Sequence, residues 1–324
     1  MTQDRAPNPG RSRRLLISLA KPALAALVLY AAGSRLAGDL ARLRHVELEP
    51  WWLAGSAAFY VVGLVFFGAF WRLAVHRMGG EIGAGEAQRA YVISQLGKYV
   101  PGKALVIVMR CALTRRESVT TSVAVIATFY ETLALMAVGA VVSLVALAAA
   151  GGVGGSLMLL AAGLSAGLLF VVLPPVFSRA VALVALPFKK RGEQLARPPD
   201  YSILPWAFAL LGAGWVMLGL SVAAAGAGVG APLTGARETL LAVGASGLST
   251  TSGFVMVFLP AGLGAREYVL TQALSPVVGS AAAALTAVTA RLAQVAVELV
   301  LGGALFLFGK RRSASASSVI VEDD

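Results

Sequence analysis

The stretch QLGKYVPGK, Gln95 to Lys103, sets Gly and Pro at the turn of an apolar segment that runs on to Arg110, and it adds cations there. FLPAGLGAREY, Phe258 to Tyr268, repeats the arrangement near the other end of the chain. A helix that simply crosses lipid has no physical reason to carry either. Irregular backbone at membrane depth survives only where protein or a watery cavity satisfies its polar groups. Both stretches are therefore expected to form re-entrant hairpins, near residues 88–110 and 239–275, lining a polar cavity.

Composition places the whole chain in the same setting. Its 324 residues are 58% hydrophobic and 13% charged, with a mean hydropathy of +0.79, which leaves too little polar surface for a soluble domain. Apolar runs near the roughly 20 residues needed to cross a bilayer occur at Leu15 to Ala32, Trp51 to Val75, Val119 to Ala149, Ser156 to Phe177, Ile203 to Ala225 and Ala281 to Phe308. The fold expected is all-α: a multi-pass membrane helical bundle with about six full spans and two re-entrant hairpins in an inverted repeat. Residues 1–14 form a cytoplasmic arm, 15–308 the membrane domain and 309–324 a disordered cytoplasmic tail. The Val119 run is long enough to tilt or to break near Gly139. Trp51, Trp52, Trp71 and Trp206 fall near span ends, where interfacial anchors belong.

Charge sets the orientation. With the N-terminus inside, Arg35, Arg42, Arg44, Arg237 and Arg266 fall outside and Arg291 falls within the last span; the rest of the 27 Lys and Arg residues sit on inner segments. That asymmetry places both termini in the cytoplasm. The net charge of +11 is thus mainly an orientation signal, and its spread over four segments argues against nucleic acid as a partner. In this topology the first hairpin leads into an outward span carrying Glu131, and the second into an inward span carrying Arg291 and Glu298. The two units are antiparallel, an arrangement that recurs in secondary transporters.

Embedded ionisable groups are costly and usually face protein or water. Lys98, Lys103 and Arg110, around the turn containing Pro101 and Gly102, offer cations and backbone donors to a phosphate. Arg266, beside Pro260, Gly262 and Gly264, gives the second hairpin the same capacity. The competing reading is that Lys98 and Lys103 snorkel to headgroups and that the glycines serve helix packing. Arg291, Gln294 and Glu298 share one helical face. Arg291 either contacts substrate or forms a structural ion pair with Glu131 or Glu298; Glu267 either closes the outer mouth with Arg266 or forms an ordinary salt bridge.

Enzymatic signals are absent. His45 and His76 fall on opposite sides of the membrane, the single Cys111 cannot build a metal cluster, and no GxxxxGK[ST] loop occurs. No catalytic residue, cofactor or metal is expected.

In combination, the GKYVPGK loop, Glu131, the PAGLGAREY segment and the final span with Arg291 and Glu298 resemble the transmembrane flippase region of lysylphosphatidylglycerol synthases and their stand-alone relatives. The resemblance covers about Leu15 to Phe308. It implies movement of a phosphate-headgroup lipid, a phospholipid or a polyprenyl-phosphate carrier, between leaflets of the cell membrane. It does not imply lipid aminoacylation, which belongs to a soluble domain. Lys98, Pro101, Gly102, Lys103, Arg110, Pro260, Gly262, Gly264, Arg266 and Arg291 are the expected substrate contacts, with Glu131, Glu267 and Glu298 as coupling or ion-pair residues. The alternatives are an accessory subunit that scaffolds an envelope-lipid or glycan enzyme, and a membrane lipid transferase. Partners compatible with the sequence are a second copy of the chain or such an enzyme.

Overall fold

Gly, Ala, Ser and Thr dominate the helix faces that meet inside this protein, and they let backbones approach closely where no water drives association. The computed structural model describes residues 47–99, 104–114, 118–184, 196–231, 233–255 and 264–319. The expected first span, Leu15 to Ala32, and the N-terminal arm lie outside the described residues. Within them the regular structure is helical, with no strand.

Five helices are long and apolar enough to cross a membrane. They are α1 (Pro50–Arg77), α4 (Thr121–Ala150), α5 (Gly155–Val172), α7 (Ile203–Ala227) and the portion Ser280–Leu307 of α10, which continues as Ser280–Val319. These are the later five of the six runs read from sequence. The α10 backbone stays helical to Val319, through the start of the stretch expected as a disordered tail.

Shorter helices fill the intervals. The first hairpin is α2 (Ala84–Gln95), extended by a 3-10 turn at Leu96–Tyr99, followed by α3 (Ala104–Leu113). The second is α8 (Ala236–Val255) and α9 (Ala265–Val278). In each the two arms pack together. Their lengths differ: α8, with 20 residues, reaches about 30 Å at 1.5 Å per residue, close to a full bilayer core. The description of a half-membrane arm therefore fits α2 and α3 by length, and does not fit α8.

Three further expectations need correction. Helix α4 is continuous through Gly139, because that glycine receives the Trp215 ring of α7 and no break is required. The Ser156 to Phe177 run ends at Val172, and α6 (Pro174–Val184) starts afresh. Pro174 and Pro175 lack the N–H groups that would continue the ladder but suit a first turn. Trp71 is no interfacial anchor: it is fully buried and its indole N–H donates to Thr128 at 3.2 Å, whereas Trp51, Trp52 and Trp206 are exposed.

The packing has a two-fold pattern. Helices α1 and α7 run antiparallel, since Ser56 meets Ser221 at one end and Arg77 meets Asp200 and Ser202 at the other. Helix α2 packs on α10, and α8 on α4; α3 packs on α4, and α9 on α10. Exchanging α1 with α7, α2 with α8, α3 with α9 and α4 with α10 returns the same set of neighbours. Each hairpin thus lies against the span that follows the other hairpin, and the repeat is inverted. In chain order α5 and α6 separate the two units.

Helices approach closely where α8 crosses α4. A side chain at Gly247 would meet the Gly139 carbonyl oxygen at 2.8 Å, as well as the Ser143 hydroxyl. Gly247→Val is expected to destabilise the protein by roughly 1 to 3 kcal/mol through overpacking, read as a lower thermal midpoint in detergent. At Gly163 of α5 nothing stands within 4 Å of an added carbon, so Gly163→Ala should leave that midpoint unchanged.

Candidate functional site

Two polar clusters lie inside the bundle, one in each repeat. The first is built on Arg110 of α3. Its guanidinium donates to Glu131 of α4 at 2.8 Å and to the Ser94 hydroxyl of α2 at 3.0 Å. The Tyr91 hydroxyl donates to the other Glu131 oxygen at 3.2 Å. The cation lies 5.0 Å from the Trp71 ring centroid and 4.5 Å from that of Tyr91, close enough for cation–π attraction on both sides. Arg110 and Glu131 are each 1% exposed.

The first cluster is closed. Its charge is internally balanced, and Trp71, Tyr91, Ser94, Arg110 and Glu131 are all buried. Arg110, expected among the phosphate contacts, here joins α2, α3 and α4. Glu131 is its partner, which removes Glu131 from the pairing with Arg291 that the sequence allowed.

The second cluster is open. A small cleft, with about 20 Å³ of space open to water, lies between α7, α8, α9 and α10. Its polar lining comes from Ser246, Ser249 and Thr250 of α8, Arg266 and Glu267 of α9, and Arg291 and Gln294 of α10; Val222, Leu270, Ala287 and Ala290 complete the wall. Arg266 donates to the Thr250 hydroxyl at 2.8 Å. Glu267 accepts from the Gly264 N–H at 2.7 Å, and so its carboxylate caps the start of α9. Gly264 itself has φ +86°, a conformation that L side chains rarely adopt. Among the described residues Arg291 has no carboxylate within ion-pair distance.

One turn beyond Gln294, Glu298 is fully buried and serves as a hub. It accepts from Tyr60 of α1, from Lys98, and from Tyr99 at 2.6 Å. Lys98 thereby joins the tip of the first hairpin to the last span, and it lies within electrostatic reach of Arg266 and Arg291. The Glu298 carboxylate is held by Lys98, not by Arg291.

The structure therefore gathers Arg266, Glu267 and Arg291 in the cleft with Gly264 at its edge, places Lys98 and Glu298 beside it, and sets Arg110 and Glu131 apart. Pro101, Gly102, Lys103, Pro260 and Gly262 lie outside the described residues. Tyr60 and Tyr99 escaped the sequence reading. Tyr60 in particular sits in an ordinary apolar run, and no local signal marks it as a partner for a carboxylate 238 residues away.

A family model described as the lysylphosphatidylglycerol synthase TM region matches residues 14–302. The chain belongs to this family. Lysylphosphatidylglycerol synthase TM regions are membrane-embedded and linked to lipid handling. The match takes in both polar clusters and the two-fold set of helices around them. No curated protein matches the chain.

Breaking the buried pair of the first cluster should cost more than deleting it. Glu131→Gln is expected to destabilise the protein by roughly 3 to 5 kcal/mol, because it leaves Arg110 uncompensated. The double variant Arg110→Met with Glu131→Leu should recover most of that loss. Thermal midpoints of the three proteins in one detergent would decide it; a double variant as unstable as the single would contradict the pairing.

Proposed function

We propose that this protein moves a lipid with a phosphate-bearing headgroup between the leaflets of the cell membrane, as a flippase or scramblase-like transporter, and does not transform it chemically. The observation that carries this reading is the meeting of Arg266 and Arg291 in one polar cleft. A phosphate taken through hydrocarbon must exchange its water for cations and N–H or O–H donors. Two guanidiniums with Ser246, Ser249, Thr250 and Gln294 supply both. Five potential spans and the family membership put that cleft in a membrane protein linked to lipid handling.

Two further features support movement. The inverted repeat is the architecture in which alternating access arises by rocking one unit against the other. In this reading the hairpin tips are re-entrant, both termini are cytoplasmic, and Lys98 on Glu298 ties the inner hairpin to the substrate-bearing helix. Opening that tie would admit a headgroup from one side, and restoring it would close the path behind.

Purified full-length protein in liposomes should translocate a fluorescent phospholipid faster than empty liposomes. Arg291→Ala should lower the rate about ten-fold or more, the scale of a lost charge-assisted hydrogen bond. Arg291→Lys should retain part of it, since lysine keeps the charge but not the planar fork. A protein inert in liposomes that becomes active only with a co-purifying enzyme would be an accessory subunit.

A further inference from the structure

The two polar clusters occupy corresponding places in the repeat, and one hydrogen bond in each has the same spacing. Arg110 reaches back 16 positions to Ser94 on the first arm of its hairpin; Arg266 reaches back 16 positions to Thr250 on the first arm of its own. Both arginines sit on second arms, and both second arms pack on the span that follows. From Arg110, a step of 21 residues arrives at its carboxylate partner, Glu131. The same step from Arg266 arrives at Ala287. Ala287 is 3% exposed, and it lines the cleft. One helical turn further stands Arg291, on the same face of α10.

We propose that the cleft is the first repeat's ion-pair site with its carboxylate removed, and that a monoanionic oxyanion, such as a phosphodiester, binds there in that carboxylate's place. Where the first repeat holds a balanced pair, the second holds Arg266, a methyl group and Arg291. Truncation from a carboxylate-bearing side chain to alanine leaves the space, and the added arginine reinforces the demand for negative charge.

Counting charges gives the valence of the ligand. Glu298 is occupied by Lys98 and two tyrosine hydroxyls, and Glu267 by the N–H that begins α9. Among the described residues, Lys98, Arg266 and Arg291 against these two carboxylates leave one positive charge. One negative charge neutralises the site. A dianion would leave it unbalanced again, with a desolvation cost that grows where water is excluded. A phosphodiester carries a single charge, whereas a terminal phosphate monoester carries close to two at neutral pH.

This inference rests on the transport reading only in taking a lipid as the source of the oxyanion, and its test is one of binding. The thermal midpoint of the full chain in an uncharged detergent would be followed against dimethyl phosphate, sulfate and dihexanoylphosphatidylglycerol, because a ligand that binds the folded state raises the midpoint with concentration. Dimethyl phosphate and the lipid should each give a saturable rise, and sulfate a weaker one. Arg266→Gln should weaken the dimethyl phosphate response about ten-fold or more. Ala287→Glu should abolish it, and without ligand should melt above Ala287→Gln, which fills the same volume without charge.

The proposal is overturned if neither monoanion gives a saturable rise, if sulfate binds as well as dimethyl phosphate, or if Ala287→Glu binds dimethyl phosphate as the parent protein does. Should Ala287→Glu fail to fold, Arg266→Gln and the comparison with sulfate carry the same decision. Binding of dimethyl phosphate without binding of the lipid would uphold the monoanion site while removing the lipid transport reading. Lipid binding with no translocation in liposomes would separate the two in the same way.

Discussion

An arginine enclosed by helices, with no water to solvate it, must find an anion within reach or the fold around it fails. Arg110 finds Glu131, with two aromatic faces above and below and a serine hydroxyl at its side. The pair joins α3 to α4, and Ser94 and Tyr91 add α2, so three successive elements are fixed by one charge. That constraint shapes the first hairpin: its arms can be as short as 12 and 10 residues because a buried ion pair, and not length, holds them. Among the described residues, the second hairpin has no such pair. It has longer arms, and a buried face of Gly, Ala, Ser and Thr against α4 takes over.

Much of the architecture was legible from hydropathy and from the two Gly-Pro interruptions. Five of the six runs emerge as helices of spanning length, with ends within a few residues of those expected. Charge asymmetry suggested an inverted repeat, and the exchange of packing partners bears it out within the described helices. What hydropathy missed was local. Pro174 and Pro175 restart a helix where an apolar window shows none, and Gly139 looked like a breaker because its neighbour, Trp215, lies 76 positions away. Trp71 sat near a span end by count, yet its indole turns inward to roof Arg110.

The site was half legible for a similar reason. Cost arguments identify which residues need an explanation, and Arg110, Glu131, Arg266, Arg291 and Glu298 all proved to lie in internal polar clusters. They do not identify partners. Pairing depends on which face of α4 and α10 turns toward which hairpin, and one residue of register exchanges the answers. Counting from the bonded arginines matches Glu131 with Ala287.

The hub at Glu298 shows why the same cations read so differently in place. Lys98, taken alone, is a phosphate ligand waiting at a hairpin tip. Held by a fully buried carboxylate that also receives two tyrosine hydroxyls, it adds almost nothing to the field of the cleft beyond it. A close ion pair presents to a third charge only the difference of two nearly equal distances, so its field decays faster than that of a lone cation. The attraction felt by an anion in the cleft therefore comes from Arg266 and Arg291. Lys98 keeps a different part: a lysine bound to the last span through one carboxylate is a joint between the two repeats. Whatever draws Glu298 away from it changes the contact between the first hairpin and α10 and uncovers a third cation in the same step.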